Sequence, residues 1–194
     1  MGSARACQSS RMATRRPSTD PLRSDRVRLR DGRTLVLRPV VAADAAPIAG
    51  GFALLTEDEV RRRFLHPVKA LDAEHLRRLT EPGDGGFAII AAEPLPAGEA
   101  LVGAVARVAR DDGEPARAEF AILVSHFLTG QGLGKRLLAR LFEWARANGV
   151  RELWGDVADD NDAMLRLAER TGFRRERRHA QPGVTRVVRR LRPR

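Results

Sequence analysis

The chain has 194 residues, 43% of them hydrophobic and 31% charged, with a formal net charge of +10. That length allows one domain with a tail or two very small ones, and no apolar run approaches the roughly 18 residues needed to cross a bilayer, which excludes a helical membrane protein. A single cysteine, Cys7, excludes an internal disulfide framework and any multi-cysteine zinc site, and fits a reducing, cytoplasmic setting.

The charge is uneven along the chain. Residues 1–30 sum to +6, residues 31–169 to −5 and residues 170–194 to +9. Only Lys69 and Lys135 are lysines, so the arginine bias runs through the whole chain and does not by itself mark nucleic acid. Residues 1–24 are rich in Ser, Arg and Pro without apolar periodicity, and predict a disordered basic tail ahead of a domain over 25–194. No apolar stretch in that tail reads as a secretory signal.

Val27 and Leu29, then Asp31-Gly32, then Leu35 and Leu37 predict two short strands about a tight turn. Residues 42–55 predict a helix starting near Asp44, with Pro47 in its first turn. Thr56 and Glu59 have the spacing of a capping box for a second helix that stops before Pro67. Asp72–Leu79 predicts a third helix. Phe87–Glu93, Leu101–Arg110 and Glu119–Val124 predict a three-strand meander, with 111–117 as a polar loop. Residues 132–148 form the strongest helical pattern, with Leu133, Leu137, Leu138, Leu141, Trp144 and Ala145 on one face and Asn148-Gly149 as the stop. A strand at Leu153–Val157, a helix at Asn161–Arg170 and strands at 173–179 and 184–191 complete the order. The fold class expected is α/β (α+β): one mixed, mostly antiparallel central sheet flanked by helices.

The sharpest local feature is Thr129-Gly130-Gln131-Gly132-Leu133-Gly134-Lys135, between an apolar strand and the long helix. Its glycines allow close backbone approach, and the helix's first N–H groups with the helix dipole suit a phosphate or pyrophosphate. The segment fails the P-loop pattern because Arg136 follows Gly-Lys. An ordinary glycine-rich turn into a helix is the other reading. The four histidines (His66, His75, His126, His179) are scattered without ligand spacing, so no metal is expected.

This loop resembles the acetyl-CoA pyrophosphate loop of the GNAT family of N-acetyltransferases, written Gln/Arg-x-x-Gly-x-Gly/Ala. Gly132 and Gly134 match; Thr129 stands where Gln or Arg is usual. Asn161 to Phe173 resembles that family's second signature. Arg62-Arg63-Phe64-Leu65, Ala118-Glu119-Phe120-Ala121 and Met164-Leu165-Arg166-Leu167-Ala168 are similar to the acetyltransferase domain of bacterial protein-lysine acetyltransferases. The resemblance covers about residues 28–180. It implies a GNAT fold, acetyl-CoA as cosubstrate and an amine acceptor, protein lysine or a small amine. It places the coenzyme on Thr129 to Lys135, with backbone donors and Gln131 standing in for the missing long side chain. Ala168 occupies the place of a Tyr thought to protonate the leaving thiolate, which leaves that acid unidentified.

Amine acetylation needs a proton acceptor, because a lysine amine has a pKa of about 10.4. Glu119, read at the start of its strand on the face of Ala121 and Leu123, is the expected general base; a carboxylate paired with an arginine is the alternative. The resemblance gives the oxyanion to the Val124 N–H. Asn161 is expected either to touch the pantetheine amides or simply to cap its helix. Ser125 and His126 are either proton shuttles or loop polarity. Arg61-Arg62-Arg63 either recognises an acidic acceptor or forms a solvated helix face. The −5 middle segment fits a cationic acceptor. A non-catalytic acyl-CoA-binding domain or a basic nucleic-acid-binding protein remains as a third class, with no recognised nucleic-acid motif in its favour.

Overall fold

The computed structural model describes residues 23–176 and 181–192. The expected basic tail lies outside those residues apart from its last two. Arg23 is fixed in place, pairing with Asp25 at 2.9 Å and Glu143 at 2.8 Å.

Eight strands form one sheet in the order β1-β2-β3-β4-β5-β6-β8-β7. They are β1 (Asp25–Arg28), β2 (Thr34–Pro39), β3 (Gly86–Ala92), β4 (Val102–Asp111), β5 (Glu114–Val124), β6 (Glu152–Ala158), β7 (Arg174–Arg175) and β8 (Val184–Arg190). Only β5 and β6 run parallel; every other pair is antiparallel. The helices are α1 (Ala45–Ala53), α2 (Glu57–Phe64), α3 (Ala73–Thr80), α4 (Leu133–Ala147) and α5 (Asp162–Arg170). The mixed sheet with flanking helices is the architecture the sequence predicts.

Strand alternation gives the sheet two apolar faces. On one, Phe87, Ile89, Ala104, Ala106, Val108, Ala118 and Phe120 pack against α4 and α5. All six predicted apolar residues of α4 are buried there. On the other, Ala88, Ile90 and Val102 pack with Ile48 of α1 and Leu76 and Leu79 of α3. Leu138→Ala, in the centre of the α4 contact, is expected to cost about 2–5 kcal/mol of stability, read in denaturant melts.

Two elements differ from expectation. The segment 111–117 is not a loop. Asp112-Gly113 makes a tight turn, with Gly113 at φ 77° and Asp111 paired to Glu114, so β5 begins five residues earlier than predicted. Pro115, which lacks an N–H, falls where the ladder shifts register after Arg110, and so breaks no ladder bond. At the other end, β7 is only two residues long, and residues 177–179 of the predicted strand lie outside the described residues.

Candidate active site

β5 and β6 pair only at Arg117↔Glu152, Ala118↔Leu153 and Glu119↔Trp154. β5 then continues to Val124 and β6 to Ala158 without pairing, so the two strands part just past Glu119. The Ser125 N–H donates to the Gly103 carbonyl on β4, and the Ala116 carbonyl accepts from Arg151 on the β6 side. Alternation along the strand therefore turns the N–H groups of Ile122 and Val124 toward the gap. Gly155 stands at the fork. A Cβ there would lie 2.7 Å from Phe120 Cε1 and 2.9 Å from the Phe120 carbonyl oxygen. Gly155→Ala is expected to force β6 off β5, cost roughly 1–3 kcal/mol and weaken whatever occupies the gap. Unchanged melting and unchanged coenzyme affinity would contradict this account of the fork.

At the mouth of the gap, the chain turns from β5 into α4. Gly130 and Gly132 hold φ of 75° and 77°, a left-handed backbone that glycine adopts without strain. α4 starts with no side-chain cap and no acid in its first turn. The first intrahelical donor is Arg136, bonded to Gly132, so the N–H groups ahead of it point outward without an internal partner. Lys135 and Arg136 are exposed there, and neither has an ion pair among the described residues. This is the geometry of an anion site. Gly134 packs closely on α5: a Cβ would meet the tip of Leu167, its Cδ2, at 2.7 Å.

The side chains of Gln131 and Thr129 both make hydrogen bonds within the protein. Gln131 Oε1 accepts from the Arg30 N–H at 2.9 Å and its Nε2 donates to Asp31 at 3.4 Å, which ties the loop to the β1–β2 turn. The Thr129 hydroxyl donates to the His126 carbonyl at 2.9 Å. These bonds engage both side chains and leave the main-chain donors as the loop's outward-facing polar groups.

Glu119 sits inside β5, not at its start, because the strand is longer than predicted. Its carboxylate lies 3.3 Å from Arg107 Nη2 of β4 and is 38% exposed, so the arginine-paired arrangement is present. Ala121, Leu123 and Ser125 follow it on the same face and line a cavity of about 710 Å³. Leu54, Leu55, Phe64, Leu71 and Leu95 supply much of the apolar wall, with Arg33, Arg63, Arg107 and Glu93 as its charged groups. The local charge thus runs opposite to the −5 of the middle segment.

α2 closes this side. Its capping box forms as predicted: the Thr56 Oγ1 accepts from the Glu59 N–H and the Glu59 carboxylate accepts from the Thr56 N–H at 2.8 Å. The same carboxylate also accepts from the His126 N–H at 2.6 Å and meets His126 Nδ1 at 3.0 Å. Burial acts to raise Glu59, but these bonds hold its carboxyl below the usual carboxylate range. One side chain therefore ties α2 to the end of β5, a long-range contact that the local capping signal does not reveal. His126 is held by Glu59 and lies against the Phe127 ring, so it is more than solvated loop polarity.

The arginine run divides. Arg61 reaches Asp160 at 2.5 Å and Arg62 lies 3.9 Å from the same carboxylate. Arg63 turns into the cavity over the Phe64 ring, 4.7 Å from its centroid. Desolvation and the charge of Arg107, opposed by Glu119, push the Arg63 guanidinium down to about 10. Asn161 caps α5, its Oδ1 accepting from the Met164 N–H at 3.1 Å. Among the described residues, no group of three or more His, Cys, Asp or Glu could hold a metal, and no helix is long and apolar enough to cross a membrane.

Residues 52–173 match the Acetyltransferase (GNAT) family. The chain is similar to the GNAT domain of S. lividans PAT, with 27% identity, coverage of 87% of this chain and 97% of that one, and a TM-score of 0.75. It is 25% identical to a cAMP-binding acyltransferase from Mycobacterium smegmatis, TM-score 0.59, over 89% of this chain but 48% of that one, so it spans about half of that protein's length. A phosphinothricin acetyltransferase from Sinorhizobium meliloti, solved in complex with AcCoA, shares the fold at 22% identity and TM-score 0.66, covering 81% of this chain and 88% of that one.

Proposed function

We propose, from the premise that this chain belongs to the acetyltransferase (GNAT) family, that it acetylates a protein lysine with Glu119 as general base. The coarser activity, acyl-CoA-dependent N-acetyl transfer, comes with that membership. The observation that carries the finer reading is the fork itself: an uncapped α4 N-terminus at one end, a gap lined by main-chain N–H groups, and a carboxylate where the strands part.

In this reading the pyrophosphate of acetyl-CoA lies on the main chain of residues 129–134, with Lys135 adding charge. The pantetheine arm runs between β5 and β6 as an extra strand would, and the free end of the Asn161 amide meets one of its amide groups. The Val124 N–H points at the thioester oxygen. Glu119 takes a proton from the ammonium, directly or through one water, with Arg107 fixing the carboxylate. The neutral amine attacks the carbonyl carbon, the oxyanion forms against Val124, and the C–S bond breaks as the nitrogen's second proton passes to the leaving sulfur, so that the amide and the thiol form of CoA leave while Glu119 keeps the first proton. Such chemistry fits the cytoplasm, where acetyl-CoA is made and used.

A small amine is the second reading, favoured by the half-open, largely apolar cavity of about 710 Å³, a volume suited to a small molecule. Calorimetry at low ionic strength tests the coenzyme site. Acetyl-CoA is expected to bind, and acetyl-pantetheine, which lacks the pyrophosphate, to bind at least about 100-fold more weakly. Equal affinity, or no heat with acetyl-CoA, defeats the assignment. Thiol release with lysine peptides and with small amines then separates the two acceptors.

A further inference from the structure

The cavity beside Glu119 holds an unmatched cation. Arg33 is paired with Asp31 at 2.6 Å and Arg107 with Glu119 at 3.3 Å. Farther along the same sheet face, Arg117 has Glu152 at 3.2 Å and Arg186 has Asp156 at 2.8 Å. Arg61 and Arg62 share Asp160. Arg63 alone of these has no carboxylate among the described residues; its one ring contact is Phe64. Glu93, the remaining acid of the cavity, accepts from the Leu101 N–H at 3.3 Å and is not among the charges that act on Arg63, which are Arg107 and Glu119.

Desolvating a guanidinium without a counter-ion is unfavourable, and the downward push on Arg63 is the sign of that cost. A surface arginine would relieve it by extending its head into water. Arg63, only partly exposed, instead lies over the Phe64 ring in a cavity that Phe52, Leu55 and Leu123 also line.

We propose that Arg63 binds a carboxylate carried by the amine acceptor itself, so that the enzyme selects an amine with its own acid close by. This rests on the acetyltransferase reading of the site. Arg107, which holds the Glu119 carboxylate at 3.3 Å, lines the cavity together with Arg63, so Glu119 stands at its edge and the amine it deprotonates lies beside the anion that Arg63 holds. The planar guanidinium suits a carboxylate bidentately. The coenzyme's phosphates are not the anion meant: the loop that suits them, residues 129–135, does not line this cavity. Two sources carry the same chemistry, the free carboxylate of an amino acid and an Asp or Glu beside a target lysine.

The test uses the full chain saturated with acetyl-CoA. Calorimetry is run with glutarate and with glutaramide, its neutral counterpart. Glutarate is expected to bind roughly 10- to 100-fold more tightly. Arg63→Met, which keeps the length and removes the charge, is expected to abolish that difference, and Arg63→Lys to keep part of it as a point charge. Turnover is then compared for lysine peptides with Glu or Gln beside the lysine, and for amino acids against their amides. The carboxylate partner is expected to win through a lower KM in one of the two series, and that series identifies the source. Equal binding of glutarate and glutaramide to the unaltered chain overturns the proposal without needing a variant. So does glutarate that binds the chain without acetyl-CoA but not the saturated chain, which would place it on the phosphate site. If neutral amines turn over as fast as their acidic partners, the inference falls while acetyl transfer stands. If acetyl-CoA gives no heat, the coenzyme assignment falls first.

Discussion

Glu119→Gln is expected to lower turnover by about 10²-fold or more while leaving acetyl-CoA affinity within a few-fold. The substitution keeps the shape of the side chain and a hydrogen-bond acceptor for Arg107, so β4 and β5 stay paired. It removes only the ability to take a proton from an ammonium. The position makes the prediction sharp. Glu119 is the last residue of β5 that pairs with β6, so its side chain sits at the fork where the gap opens. Were the carboxylate only the ion-pair partner of Arg107, with 38% of its surface exposed, its loss would cost about 1 kcal/mol of stability or less and leave turnover near normal. Thiol-release kinetics beside a thermal melt separate the two roles. Normal turnover in the Gln variant removes Glu119 from the mechanism.

The second large effect is on stability and lies away from the site. Asp44 is fully buried, and both its oxygens meet Arg38, at 2.6 and 2.7 Å, while it also accepts from the Val41 N–H at 2.9 Å. Asp44→Asn leaves the largely buried Arg38 charge without its counter-ion. The expected cost is about 3–5 kcal/mol, or roughly 6–20 °C in Tm. Replacing the pair together, Arg38→Met with Asp44→Leu, is expected to recover much of that loss, because neither charge then has to be desolvated. A Tm within about 2 °C of the parent for Asp44→Asn would refute the account. The pair also sets an acid limit. Burial works to raise the Asp44 carboxyl, but its bonds to Arg38 and Val41 outweigh that and hold it below the ordinary value. A depressed folded-state pKa gives stability that is fully present above the unfolded value of about 3.9 and lost as pH falls through the folded one. Melts taken below pH 4 should therefore show the parent losing stability and the double variant losing less.

How much of this was legible beforehand depends on whether the signal was local. The α4 stripe of Leu133, Leu137, Leu138, Leu141, Trp144 and Ala145 is buried as its spacing predicts, because helical periodicity is a property of neighbouring residues. The same holds for the Thr56–Glu59 capping box and the stop at Asn148-Gly149. Asp112-Gly113 is likewise a local signal, a strong hairpin dipeptide, and it starts β5 at Glu114, so Glu119 lies inside the strand and not at its start.

The amino-acid sequence by itself determined the element order, the caps, the apolar faces and the glycine-rich turn into α4, since each follows from backbone preference or side-chain spacing within a few residues. Only the tertiary structure decided where β5 and β6 part, which of three consecutive arginines turns inward, that Gln131 holds the β1–β2 turn, and that Glu59 reaches His126 from 67 residues away. Those contacts join segments far apart in the chain. Their partners are chosen by the packing of the whole sheet and its helices, which no short window of residues contains.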